Sequence, residues 1–173
     1  MVEPWLRGRM EGLHPVAAHL LYTFEQAREE LASFCGVLTV EELWISPGAG
    51  VGSVGFQLRH IAGSIVRLTT YLNGEQLSEG QLAALRSEHE PGAGFAELMG
   101  ALDREFDRTE IVVRLIPATS YEAVRVVGRK QLPTTVGGLI VHMSEHTQRH
   151  LGQAVLIAKL VRVTEHRPRG AVD

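Results

Sequence analysis

Three histidines, His142, His146 and His150, recur at intervals of four inside residues 134–161 (TTVGGLIVHMSEHTQRHLGQAVLIAKLV). The segment reads as one long helix. At about 100° per residue, each four-residue step drifts only about 40° around the axis and rises about 6 Å, so His146 and His150 stack on one face. Leu139, Ile157 and Leu160 extend that line above and below. Imidazoles and Gln153 therefore occupy positions that normally pack against neighbouring helices. Burying polar rings without partners is costly, and one divalent cation satisfies two of them at once. The HxxxH pair is thus half of a metal site. No Glu follows the first histidine directly, so the arrangement is not the HExxH of zinc proteases.

A catalytic transition-metal site typically takes three protein ligands and leaves a position open. The third must come from another helix, and His60 is the best placed, because it lies inside a periodic helical stretch. His14, His89 and His166 fall near element ends or in polar text, as does His19, which is kept only as a reserve. Three imidazoles suit zinc, nickel, copper or iron(II) far better than magnesium or calcium. The competing interpretation is three partly buried histidines hydrogen-bonded to backbone or to each other. His142 stands about 80° away from His150 and is as readily a pocket residue as a ligand. Gln153 and Glu145 are candidates for fixing imidazole orientation, although Glu145 also fits a solvent-facing position. Arg67 and Tyr71 could line a mouth above His60 and recognise an anion, or simply be a snorkelling Arg and an interfacial Tyr. Cys35, beside a helix-terminal Gly, reads as packing rather than as a nucleophile.

The helices that must hold these groups are legible from periodicity. Residues 14–35 place Ala17, Leu20, Leu21, Phe24, Ala27, Leu31 and Phe34 at steps of three and four, with Gly36 as the stop. In LTVEELW (residues 38–44), Thr39 and Glu42 have capping-box spacing. Residues 46–52 (SPGAGVG) break regular structure. Ser53 is the expected N-cap of a second long helix running to about Asn73, with Val54, Leu58, Ile61, Ile65, Leu68 and Leu72 as its apolar stripe. Beside that stripe run Phe56, His60, Ser64, Arg67 and Tyr71, and Gly63 leaves room for a close approach by another helix or a ligand. Residues 75–94 read as a polar crossover with one short helix around 81–86. A third long helix starts at Phe95 and ends before Pro117. Residues 121–132 lack a helical period and read as an extended or irregular approach to the last helix, which Thr134 or Thr135 caps. The expected fold is all-α, a four-helix bundle with a crossover between helices 2 and 3, in one domain over residues 1–173 with a frayed tail at 164–173.

Composition narrows the function classes. The hydrophobic share of 45% and charged share of 21% are those of an ordinary globular protein, so disorder is not expected. One cysteine allows no intrachain disulfide, which fits a reducing compartment. MVEPWLRGRM lacks the apolar run of a signal peptide, and no stretch reaches the roughly 18 apolar residues of a membrane span. A net charge of −3 offers no basic face for nucleic acid. The expectation is a cytoplasmic, soluble protein with neither nucleic acid nor membrane as partner.

These residues resemble the DinB-like (YfiT-like) family of metal-dependent proteins. The resemblance rests on LRHIAGSIVRLTTYLNG around His60 paired with GLIVHMSEHTQRHLGQAVLIAKL around His146 and His150, with LTVEELWISP (residues 38–47) between the first two long helices. By position it implies His60, His146 and His150 as the metal triad, a divalent transition metal with zinc or nickel first among the choices, and often a homodimer. Many members carry a further histidine just before the last ligand, where this chain has Arg149. Characterised relatives include thiol S-transferases using bacillithiol, mycothiol or glutathione, and thiol-dependent maleylpyruvate isomerases. The resemblance therefore implies a low-molecular-weight thiol cosubstrate and an electrophilic small molecule. A metal-dependent hydrolase and a non-catalytic metal- or ligand-binding stress protein are the alternatives.

Overall fold

The computed structural model describes residues 2–165, and its frame is four long helices: α1 (Pro15–Cys35), α3 (Val54–Leu72), α5 (Phe95–Arg114) and α6 (Val136–Glu165). Two short helices lie between them, α2 (Val40–Leu43) and α4 (Glu79–Arg86). Both α1 and α3 pack against α5 and α6, so α1 sits diagonally across from α3, and α5 across from α6. This is a four-helix bundle. Among the described residues no helix is long and apolar enough to cross a membrane.

Local chemistry sets most boundaries where the periodicity puts them. His14 caps α1 by accepting from the amide of Val16, and Gly36 follows its end. Thr39 and Glu42 form the expected capping box on α2, and Ser53 accepts from the amide of Phe56 to start α3. Of the two candidate caps for α6, Thr135 is used: its Oγ1 accepts from the amide of Gly138 at 3.0 Å. Removing one such cap costs about 1 kcal/mol. Thr135→Ala is thus expected to lower unfolding free energy by about that amount in urea denaturation.

The stripes read from the sequence meet in one core. Phe24 of α1 stacks on Phe106 of α5 with ring centroids 3.9 Å apart, and Leu20, Leu31, Leu58, Ile61, Ile65, Leu102, Ile140, Met143 and Leu151 are fully buried around them. Cys35 is buried among these residues, and burial pushes its thiol up to about 12, which makes it a packing residue.

Two features differ from expectation. Of the extended and irregular readings of residues 121–132 the extended one holds, but as a strand pairing that was not expected: β1 (Val124–Val127) and β2 (Leu132–Thr135) form an antiparallel hairpin, with Val124 opposite Thr135 and Val127 opposite Leu132. Its connection, Gly128–Gln131, turns with positive φ at both ends, and Arg125 reaches back to donate to the Leu72 carbonyl at the end of α3. Strands of four residues without an Asn-Gly or Asp-Gly turn give little sequence signal. The second difference is at the far end, where α6 continues to Glu165. The rest of the expected frayed tail, with His166, lies outside the described residues.

Candidate metal centre

Helices α3 and α6 lie side by side, and this brings His60 of the first against His146 and His150 of the second. Ring centroids are 4.4 Å apart for His60 and His150, 4.4 Å for His146 and His150, and 5.1 Å for His60 and His146. One ring nitrogen from each lies within 4.8 Å of the others. The Nε2 atoms of His60 and His146 are 3.1 Å apart. Two nitrogens bound to one tetrahedral zinc-like ion stand about 3.3 Å apart, so the His60–His146 pair already has the spacing of two ligands.

The outer nitrogens are held. Nδ1 of His60 donates to Oε2 of Glu88 at 2.6 Å, and Nδ1 of His150 donates to Oε1 of Gln57 at 2.6 Å. A carboxylate oxygen only accepts, and Gln57 is oriented to do the same, so the proton of each ring sits on Nδ1 and the Nε2 lone pair is left to coordinate. Glu88 is 3% exposed and takes a second hydrogen bond from Arg67 at 2.6 Å. Arg67 also donates to Oγ of Ser64 at 3.0 Å, and that hydroxyl lies 2.9 Å from Nε2 of His146. A chain of polar contacts thus runs from His60 through Glu88, Arg67 and Ser64 to His146.

His146 tests whether a cation fits. Its Nδ1 is buried and, among the described residues, has no hydrogen-bond partner. With the proton on Nε2, Nδ1 is a bare buried acceptor. With the proton on Nδ1, that donor is orphaned, and two Nε2 lone pairs face each other at 3.1 Å. A divalent cation held by His60, His146 and His150 would remove the lone-pair repulsion. Three neutral imidazoles fit zinc, nickel, copper or iron(II), so the residues present suit a divalent transition metal.

Electrostatics keeps the rings in their ligating form. Burial, followed by the neighbouring His150, His60, His142 and Arg149, lowers His146 to about 4. Burial, then His60 and Arg149, likewise lowers His150 to about 4 against weaker opposing pulls from Glu88 and Gln153. Burial alone would raise Glu88, but hydrogen bonds from His60 and Arg67 and their charges hold it below the usual carboxylate range. Both imidazoles ionise more readily in the unfolded chain, at about 6.5. Their contribution to stability is full above that value and is lost as pH falls towards 4. The metal-free protein is expected to show a urea midpoint that is flat above about pH 6.5 and declines steadily below it.

A family model for the DinB superfamily matches residues 23–154. The chain belongs to that superfamily. Solved structures with this fold include one described as "YfiT from Bacillus subtilis is a probable metal-dependent hydrolase with an unusual four-helix bundle topology". It is 15% identical with a TM-score of 0.65, and the match covers 91% of this chain and 93% of that one. A DinB-like protein from Bacillus cereus ATCC 10987 is 14% identical with a TM-score of 0.55, over 88% of this chain and 95% of that one. No curated protein matches the sequence.

In this DinB-superfamily chain the other candidate residues are placed less as expected. The His142 ring lies 5.6 Å from His146, is exposed, and does not join the cluster. Glu145 faces outward, its carboxylate 3.8 Å from Nδ1 of His142. Gln153 and Leu160, read as core positions, are exposed although Ile157 between them is buried, and Gln153 keeps its expected hydrogen bond to the His150 ring. Arg67 does not line a mouth: it is committed to Glu88 and Ser64, and Tyr71 is buried in the core. His14 and His89 are occupied in stacking on Tyr121 and Phe56, and His19 is exposed on α1. Glu88 and Gln57 are the residues that sequence reasoning missed. A signal for Glu88 existed in Gly63, where a Cβ would overlap its Oε1. The close approach that this glycine permits is made by a carboxylate from the crossover.

Proposed function

We propose that this chain is a metal-dependent enzyme in which His60, His146 and His150 bind one divalent transition metal, zinc or nickel first among the candidates. Its reaction is transfer of a low-molecular-weight thiol to an electrophilic small molecule. The observation that carries the metal assignment is the commitment of Nδ1 in His60 and His150 to Glu88 and Gln57, while Nε2 of His60 stands 3.1 Å from Nε2 of His146. When bound, a divalent metal supplies Lewis-acid activation at the coordination position that three protein ligands leave open.

The choice of a thiol nucleophile is supported by what the nearby acids are doing. Glu88 is engaged by His60 and Arg67, and Glu145 is turned to solvent, so neither is poised as a general base. Water is a far weaker acid than a thiol, so a thiol needs less help to become a nucleophile at neutral pH. In this reading Glu88 and Gln57 orient the ligands, Arg67 anchors Glu88, and the low basicity of His146 and His150 keeps both rings unprotonated. A hydrolase built on the same centre is the second reading, favoured by the similarity in fold to YfiT, a probable metal-dependent hydrolase.

Metal-loaded protein offered bacillithiol, mycothiol or glutathione with a chloronitroaromatic electrophile is expected to consume thiol and electrophile in equal amounts, and to stop on chelation. Turnover of activated esters without added thiol would instead establish the hydrolase. Metal-dependent turnover absent in both assays would leave a binding protein.

A further inference from the structure

Beside the histidine cluster, and outside it, lies a cleft of about 550 Å³ between the loop before α3 and the outer face of α6. Its walls include Val51, Phe56, Leu156 and Ile157, with Gly52 at one edge. The polar group that matters in it is Gln57. This side chain is 3% exposed, and its Oε1 is taken by Nδ1 of His150. Its Nε2 carries two protons and, among the described residues, meets no acceptor. The atom is not enclosed, since among the described residues the buried side-chain atoms without a partner are Ser144 Oγ and His146 Nδ1; it faces the cleft, where water or a ligand fills it. Gly52 keeps that donor open to the cleft: a Cβ there would lie 3.1 Å from Nε2 of Gln57 and would overlap the Phe56 ring.

We infer that this cleft binds an apolar small molecule bearing one hydrogen-bond acceptor, a ketone or comparable carbonyl compound, whose oxygen accepts from Nε2 of Gln57 while its hydrocarbon body lies against Phe56, Leu156 and Ile157. The volume is within the range of sites for small organic ligands, and an apolar wall with a few polar groups, here the buried Gln57 and the exposed Gln153 at the rim, is the usual construction of such sites. The occupant and His150 hold opposite ends of one carboxamide, so the ligand adjoins the histidine cluster without touching it. The binding does not depend on the metal or on thiol transfer.

Acetophenone and ethylbenzene, which share a ring and differ in the carbonyl, test the proposal by ligand-observed NMR titration of the full chain without metal. Gln57→Glu keeps an acceptor for His150 and removes the donor. It is expected to lower the ratio of acetophenone to ethylbenzene affinity roughly fivefold. Leu156→Lys, at an exposed position that the fold does not need, is expected to weaken both probes at least about threefold, by placing a charge on the apolar wall. An unchanged ratio in Gln57→Glu overturns the proposal, as does binding insensitive to Leu156→Lys, or no saturable binding of either probe to the unsubstituted chain. Failure of the thiol-transfer assay would not bear on these results, which distinguishes the two claims.

Discussion

A His146→Ala protein is expected to remain folded and to lose its transition metal, with affinity falling by at least about a hundredfold and metal-dependent turnover falling with it. The geometry explains the size of the effect. His146 closes the triangle of rings, its Nε2 3.1 Å from that of His60 and its centroid 4.4 Å from that of His150. Two imidazoles on separate helices make a much poorer site than three, since each lost ligand of a structural or catalytic zinc removes a large part of a binding free energy on the order of 10 kcal/mol. Stability should change little. The variant discards a half-buried ring whose Nδ1 is unpartnered, so relief of that group offsets part of the packing lost. Elemental analysis alongside a thermal melt separates the two effects: a metal content equal to that of the unsubstituted protein would remove His146 from the ligand set.

Glu88→Ala is expected to be the most destabilising change in the site, by about 3–5 kcal/mol. Two groups lose their partner together. The guanidinium of Arg67, its side chain 11% exposed, is left as a buried cation without a counter-charge, and Nδ1 of His60 is left without an acceptor. The same substitution should weaken metal binding about 10- to 100-fold, the usual consequence of removing the acceptor behind a ligating histidine. Pairing it with Arg67→Met separates the effects, because the double variant no longer buries an uncompensated charge. Its stability should recover most of the loss while its metal affinity stays low. Recovery of both would mean that Glu88 only neutralises Arg67 and does nothing for His60.

The frame of the bundle was readable because it depends on short-range patterns. Leu20, Phe24 and Leu31 on α1, or Leu58, Ile61 and Ile65 on α3, recur with the helical period, and that recurrence alone fixes which face must be covered. Caps at Thr39 and Ser53 were readable for the same reason, being contacts over three residues. The pairing of His146 with His150 belongs here too. The hairpin at residues 124–135 was not legible, because a two-stranded ribbon is held by its docking on α3 and α6 rather than by its own propensities.

By itself the sequence determined the helices, the stacking of His146 on His150, and the expectation that His60 supplies a third imidazole. What only the tertiary structure decided is the shell around them: Glu88 arriving from 28 residues away to hold His60, Gln57 meeting His150 across α3 and α6, and the exposure of His142, Glu145 and Gln153. The reason is physical. Periodicity states which side of a helix is inward, but the azimuth at which two helices cross, and the path of the chain that returns between them, set which polar group lies within hydrogen-bond reach of another. A step of one residue along a helix rotates a side chain by about 100°, more than the tolerance of a hydrogen bond, so those contacts exist only once the whole bundle has closed.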